Sequence, residues 1–278
     1  MTILLICNII MFEMNIKAIS WGVEMSANER KSKIVQLLEV KGKIDIVELS
    51  EELSVTPMTI RRDLDALEKQ KKLIRTHGGA VLPQLLIQEQ SFESKLGKAI
   101  DKKRMVAHEA VSFIEEHMTI LLDSGTTNFE IAKLLKHKKH LTVVTNDITI
   151  AVELMNTQHE VIVLGGRLQN GVGAVYGPLT EQTLNELHVD AFFLGAHAVH
   201  PTYGVTTPSL EKAALKKAMI NAANNVYLVV DSTKLDYKSF SKVCDLHSTT
   251  KLITDFHVTD EQVTEYEQYT DLVIAKKV

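Results

Sequence analysis

Ile34, Leu37 and Leu38 share one face of a helical wheel over residues 29–40, with charges around the rest, which predicts an amphipathic helix ended by Gly42. Ile46, Leu49 and Leu53 repeat the pattern and predict a second helix over Asp45–Leu53, with Ser54-Val55-Thr56 as the turn that follows. A third helix begins at Pro57 and runs to about Gln70. Thr56 is a good N-cap, and Pro57 suits the first helical position, where its missing N–H is no loss. Ile60, Leu64 and Leu67 face its core, so Met58, Arg62 and Lys69 point away, flanked by Thr59 and Arg61. Lys71–Arg75 and Ala80–Leu82 read as short strands around Thr76-His77-Gly78-Gly79. Three helices followed by a β-ribbon describe a winged helix-turn-helix.

The pattern changes further along. Residues 83–97 carry no core stripe and read as a linker, leading into a helix near Ala99–Glu116. Beyond it, runs that are apolar throughout alternate with helical stretches: Thr119–Leu122, Leu141–Val144, Val161–Leu164, Ala191–Leu194, Val226–Val230 and Leu252–Thr254. Strands without an exposed face imply a parallel sheet covered by helices on both sides. The expected fold class is therefore α/β: an N-terminal winged helix-turn-helix domain over 25–82, a linker over 83–97 and a Rossmann-like domain over 98–278.

Charge refines this division. The whole chain of 278 residues has a formal net charge of -4, which argues against nucleic-acid binding if taken as an average. Ser26–Leu82, however, has eleven Lys and Arg against nine Asp and Glu, and Lys69–Leu82 has four basic residues and no acidic one. The acidity lies in the remainder, with the basic charge concentrated on the wing. Two cysteines, Cys7 and Cys244, form no metal-ligand or disulfide framework, and the histidines show no metal spacing, so neither a metal nor a cofactor is expected.

The apolar run Ile3–Phe12 is too short to span a bilayer, and it lacks both the basic flank and the cleavage site of a signal peptide. Residues 1–24 read instead as an upstream extension, with translation starting at Met25. The expected location is the cytoplasm.

In a helix-turn-helix the second helix enters the major groove, so the candidate DNA contacts are Ser54, Thr56, Met58, Thr59, Arg61, Arg62 and Lys69, with Lys72, Arg75, His77 and Gly78 on the wing. Arg61 and Arg62 suit either a bidentate contact to guanine or a phosphate clamp. Asp63, Asp65 and Glu68 are expected to orient them or to pair with lysines. An isolated arginine pair would be an ordinary solvated face; the capped helix, short turn and acid-free ribbon together make it a DNA-binding constellation.

In the second domain Asp123-Ser124-Gly125-Thr126-Thr127 lies between a strand and a helix, where backbone N–H groups and hydroxyls suit a phosphate; simple helix capping is the plainer reading. Thr145-Asn146-Asp147, Gly165-Gly166-Arg167, Gly195-Ala196-His197 and Asp231-Ser232-Thr233-Lys234 also follow strands, and such loops converge on one rim of an open sheet. Lys234 or Arg167 suits a phosphate, and Asp123, Asn146 or Asp231 suits sugar hydroxyls. Thr206, in the Gly204–Thr207 loop, and Glu211 join the candidate effector contacts, while Gly165-Gly166 serves equally well for close packing.

Val55–Glu68, with Ile60-Arg61-Arg62-Asp63-Leu64 at its centre, followed by Arg75–Ala80, resembles the DNA-binding signature of DeoR-type bacterial transcriptional regulators. Leu122–Thr127, Val143–Asn146, Leu164–Arg167, Phe193–Ala196, Gly204–Thr207, Met219-Ile220 and Asp231–Lys234 resemble, in order, the effector domain of the same family. The resemblance runs from Met25 to the end. It implies a sheet similar to ribose-phosphate isomerase, glucosamine-phosphate deaminase and CoA-transferase domains, with phosphorylated sugars as ligands. Two places depart from the pattern: His197 and Ala198 stand where a small polar or acidic residue and glycine are usual, and Leu235-Asp236-Tyr237 lacks the glycine usual after the lysine.

These observations point to a homodimeric or homotetrameric repressor of a sugar-utilisation operon, bound to operator DNA and relieved by a phosphorylated sugar. Differential affinity of the effector for two arrangements of the paired DNA-binding domains would provide the release. A sugar-phosphate isomerase or deaminase with an accessory DNA-binding domain is the rival, with Asp123, Glu211 or Asp231 as its base, although no acid/base pair is recognisable. A winged-helix protein-interaction module leaves the basic wing without a purpose.

Overall fold

The computed structural model describes residues 25–41, 43–70, 72–76, 78–81 and 91–277, and the chain divides into two compact units between Pro83 and Gln84. The expected extension over 1–24, the helix stop at Gly42, the wing residue His77 and most of the expected linker lie outside the described residues.

The first unit is built from α1 (Ala27–Lys41), β1 (Lys43–Asp45), α2 (Ile46–Glu52), α3 (Pro57–Lys69), β2 (Ile74–Thr76) and β3 (Gly79–Val81). Asp45 caps α2 by accepting from Val47 N at 2.7 Å, and the Thr56 hydroxyl caps α3 by accepting from Thr59 N at 3.2 Å. Ile34 and Leu38 of α1, Leu49 of α2 and Ile60, Leu64 and Leu67 of α3 close over Leu73 and Ala80 in one core. The ribbon has a third member, since β1 pairs with β3 in an antiparallel sheet of order β1-β3-β2. Three residues are too few for periodicity to announce β1. Its approach requires Gly79, where a Cβ would lie 1.8 Å from the Ile44 carbonyl oxygen.

The acids of α3 do not orient Arg61 and Arg62. Asp63 is buried and accepts from Arg30 Nε of α1 at 2.5 Å; Asp65 pairs with Arg75, and Glu68 accepts from Arg75 N at 2.8 Å. Arg75 also donates to the Arg61 carbonyl at 3.1 Å. One acid thus ties α3 to α1, and the other two tie it to the wing.

The second unit opens with α4 (Phe92–Leu96), a helix inside the stretch expected to be linker, and α5 (Ile100–Val111). There follow β4 (Thr119–Leu122), α6 (Thr126–Leu135), β5 (Thr142–Thr145), α7 (Ile148–Leu154), β6 (Glu160–Val163) and the hairpin of β7 (Arg167–Leu168) and β8 (Val175–Tyr176). Next come α8 (Pro178–Asn185), β9 (Val189–Leu194), β10 (Ala198–His200), β11 (Gly204–Thr207), α9 (Leu210–Asn221) and β12 (Ala223–Val229). The chain ends with β13 (Ser241–Cys244), β14 (Lys251–Thr254), α10 (Asp260–Tyr266) and β15 (Leu272–Ile274).

All six apolar runs become neighbours in a parallel seven-stranded sheet of order β15-β14-β12-β9-β4-β5-β6. Both faces are buried, which is why these strands show no alternation. Leu121, Phe192, Leu194 and Leu228 pack on one side with Leu215 and Met219 of α9, while Ile120, Leu122, Phe193 and Val229 pack on the other with Val106, Ala110 and Ile131. From β4 the chain advances through β5 to β6, but from β9 it advances in the opposite direction to β12. The strand order therefore reverses between β4 and β9, and in open α/β sheets ligands bind beyond the strand ends at such a reversal.

Replacing Asp63 with Ala leaves the Arg30 charge buried without its partner, and the first unit is expected to lose about 3 kcal/mol or more. Chemical denaturation of the full chain, followed by circular dichroism, measures this; a loss below about 1 kcal/mol would reduce the pair to a surface-like contact. Gly79→Ala is expected to unseat the wing, and amide exchange at Ile44 and Ala80 reads that directly.

Candidate functional site

In the first unit Ser54, Thr56, Met58, Arg61, Arg62, Lys69, Lys72 and Gly78 are exposed, and Thr59 is half-buried. The Thr56 and Thr59 hydroxyls bond each other at 3.0 Å at the start of α3, one turn before Arg61 and Arg62. Because the α3 acids are committed elsewhere, these two arginines present their charge beside Lys69. Arg75 is placed differently from expectation, its guanidinium half-buried against Asp65 and the Arg61 carbonyl, so it fixes the wing to α3. Such an arrangement suits a helix laid in a groove with a basic ribbon alongside.

In the second unit the loops after β4 and β9 meet at the point where the sheet changes direction. Asp123 is 1% exposed, and its Oδ2 accepts from Gly195 N at 2.9 Å and from Lys216 Nζ. Lys216, on α9 and 7% exposed, also donates to the Gly195 carbonyl at 2.9 Å. Asp123, proposed by sequence for hydroxyl binding, is thus already charge-paired.

Ser124, Gly125 and Thr127 are half-buried beside it, and Thr126 is buried at the head of α6. Gly125 N donates to Asp147 Oδ2 at 3.2 Å. Asp147 also caps α7 through Thr149 N at 2.8 Å, and burial raises its carboxyl above the ordinary range despite these donors. Asn146 is buried; its Nδ2 donates to the Val175 carbonyl at 3.1 Å, and its own carbonyl accepts from Val175 N at 2.7 Å. Asn128, in the first turn of α6, donates to the Phe193 carbonyl at 3.0 Å. The Oδ1 atoms of Asn128 and Asn146 are both buried without a hydrogen-bond partner, which leaves two acceptors available where the loops converge.

The remaining predicted residues fall into other groups. Gly165 and Gly166 are exposed, but a Cβ on Gly166 would lie 2.4 Å from Thr180 Oγ1, and the Gly165 carbonyl accepts from that hydroxyl at 2.6 Å. Their geometry serves close packing on α8. Exposed Arg167 donates to Tyr176 Oη at 3.0 and 2.8 Å. It also lies close enough to exposed Glu211 to favour its ionised form, which its own backbone N–H and the Ser209 hydroxyl hold below the usual carboxyl range. Thr206 is buried in the antiparallel sheet β10-β11-β13, donating to the Ala198 carbonyl at 3.1 Å and accepting from Ser239 N at 2.8 Å. Ala196 is half-buried beside Gly195.

Asp231, 1% exposed at the end of β12, folds back on Thr233, with its Oδ1 accepting from Thr233 N at 3.1 Å; Lys234 is half-buried just beyond. Asp236, in the Leu235–Tyr237 stretch after the lysine, holds φ at 65°. It is tied to α10 by Gln262 Nε2 at 2.5 Å and by Tyr266 Oη, which donates to its Oδ1 at 3.2 Å.

Four residues of this rim escaped the sequence reading as ligand candidates: Lys103, Asn128, Asp147 and Lys216. The lysines had a readable signal. Lys216 interrupts the buried stripe of Ala213 and Met219, and Lys103 that of Val106, Ala107 and Ala110, at helical spacing in both cases. A lysine inside an apolar stripe requires a partner within the protein.

Residues 30–85 match the family model for the DeoR-like helix-turn-helix domain, and residues 98–256 match that for the DeoR C-terminal sensor domain. An uncharacterized HTH-type transcriptional regulator of Bacillus subtilis (strain 168), YulB, is 38% identical over 232 residues, covering 83% of this chain and 90% of its own length. A putative aga operon transcriptional repressor of Escherichia coli O157:H7 is 34% identical over 234 residues, covering 82% and 86%. The lactose phosphotransferase system repressor of Staphylococcus epidermidis (strain ATCC 35984) is 30% identical over 253 residues, covering 90% and 100%. With both of its domains matched, and with relatives aligned across most of its length, this chain belongs to the DeoR family of DNA-binding transcriptional regulators.

Proposed function

We propose that the chain is a cytoplasmic repressor of a sugar-utilisation operon, acting as a homodimer or homotetramer and released from its operator by a phosphorylated sugar. The observation that carries this reading is the meeting of the β4 and β9 loops at the sheet's change of direction, in the same chain as a capped helix with exposed arginines. Repressors of the aga operon and of the lactose phosphotransferase system among its relatives support sugar control. At the rim, Ser124–Thr127 would take the phosphate at the head of α6, with Asn128 and Asn146 offering acceptors to sugar hydroxyls. Lys234 supplies a cation. Binding rather than turnover fits Asp123, the first-choice base of an isomerase reading, because its carboxylate is paired with Lys216.

On the DNA side, α3 lies in the major groove and Arg61 and Arg62 reach bases or phosphates, with the wing lysine Lys72 and His77 on the backbone. Operator fragments selected by the wild-type protein from a random pool provide the assay. Arg61→Ala and Arg62→Ala are expected to weaken binding; an arginine on guanine costs about 1–3 kcal/mol and relaxes specificity, whereas one on phosphate lowers the salt slope by about 1. Undiminished affinity of both variants at physiological salt would end this docking. For the effector, a thermal-shift panel of phosphorylated sugars is expected to contain a ligand that stabilises by about 2.7 kcal/mol at a hundred times its dissociation constant. A panel in which free sugars stabilise as strongly as their phosphates would overturn the phosphate assignment.

A further inference from the structure

Lys103 is a buried cation of the rim to which the proposed function gives no role. It projects from the first turn of α5 with 4% of its surface exposed, and its Nζ donates to the carbonyl of Lys95, in the last turn of α4, at 2.5 Å. The end of α5 packs at the carboxyl ends of β12 and β14: neighbouring Lys102 donates to Ser232 Oγ at 2.8 Å and lies 3.9 Å from Asp255. Asp231 and Lys234 are the rim residues whose charges act on Lys103, together with Lys95 and Glu130.

The negative charges here are already engaged. Glu130 lies 2.7 Å from Lys133 and 3.5 Å from Arg104, Asp255 accepts from the Ser232 and His257 backbone N–H groups at 2.6 and 3.0 Å, and Asp231 is folded onto Thr233. Among the described residues, the hydrogen-bond acceptor of the Lys103 ammonium is one neutral carbonyl. Burial accordingly pushes its pKa down to about 8. The Asp231 charge acts on this buried ammonium, but no carboxylate is bonded to it among the described residues; its spare donors, beside Lys234, suit a dianionic phosphate.

The carbonyl that Lys103 holds belongs to the first described element downstream of residues 82–90, which join the sensor unit to the DNA-binding unit. At its other end α4 is fixed by Phe92 N, which donates to the Gly171 carbonyl in the β7–β8 hairpin at 2.8 Å, and by the edge of the Phe92 ring against Phe129 of α6 at 5.4 Å. The Lys103 bond is a tether of α4 that a bound anion can compete for.

The geometry points to Lys103 as an effector-contact residue whose ammonium is shared between the phosphate of the effector and the Lys95 carbonyl, so that binding at the rim loosens α4 at the entry to the sensor domain. Effector affinity and the hold on α4 are then linked through one group, and each weakens the other. This inference rests on reading the rim as a phosphorylated-ligand site.

The test uses the full chain, inorganic phosphate as probe and chloride-matched buffer. Wild-type protein is expected to gain thermal stability with phosphate and to exchange the amides of residues 94–98 faster when phosphate is present. Lys103→Met is expected to bind phosphate at least about tenfold more weakly, as the loss of one charge-assisted contact implies, and to show the faster exchange without phosphate. Lys103→Arg, which keeps the charge, is expected to retain the stabilisation. A wild type indifferent to phosphate overturns both the anion-site reading and this inference. A responsive wild type with an equally responsive Lys103→Met overturns the Lys103 contact alone. Unchanged exchange at 94–98 in phosphate-bound wild type overturns the coupling, and that measurement needs no variant to fold.

Discussion

A carboxylate buried at the end of a central strand must be neutralised, and the way Asp123 meets that demand organises the sensor domain. Lys216 reaches it from α9, on the face of the sheet opposite α6, and bonds Gly195 as well, so that the β4 loop, the β9 loop and a helix from a third part of the chain share one group of contacts. A buried pair of this kind adds modestly to net stability when its desolvation is counted, yet removing either member is expensive because the other is left charged and dry. Its contribution is therefore mostly one of position. It holds the β4 and β9 loops together where the strand order reverses.

The DNA-binding unit solves a related problem with the opposite outcome. α3 carries three acids close to two arginines, a composition that by itself suggests local neutralisation. Asp63 is instead drawn to Arg30, and Asp65 and Glu68 to Arg75, so the acids are consumed in fastening α3 to α1 and to the wing. Arg61 and Arg62 are left exposed outside these pairs. Asp63 follows Arg62 directly and does not face it on the helix, whereas Asp65, at pairing distance from both arginines along the helix, is taken by Arg75 of the wing.

Much of this was legible in the sequence. Apolar runs placed six of the seven strands of the large sheet, and helical spacing placed the three helices of the first unit, because a strand buried on both faces and a helix buried on one each leave a continuous trace. The trace fails where elements are short or where contacts are tertiary. β1 and α4 have three and five residues, too few for a period to be established, and α4 is held by Gly171 and Phe129, remote in sequence. At the site, loops after strands were identified by composition and topology, and Asp123 and Gly195 do meet. Lys216 and Lys103 were overlooked because adjacent lysines, Lys217 and Lys102, make each look like part of a solvated pair; the periodicity of their burial is the distinguishing mark. Thr206 was assigned to the rim from a motif whose residues instead bind β10 and the segment before β13.

Asp236 shows how a departure from the family pattern is absorbed. Its backbone occupies the left-handed region, which costs an ordinary side chain about 1–2 kcal/mol and an aspartate somewhat less. Gln262 and Tyr266 take up its carboxylate, so the folded turn recovers part of that cost. A part is also recovered in the unfolded state: a chain with aspartate at this position has fewer unfolded conformations to lose than one with glycine, a term of at most about 0.4–1 kcal/mol in favour of folding. The turn thus draws its stability from side-chain anchoring and a narrower unfolded ensemble, where a glycine would rely on conformational freedom.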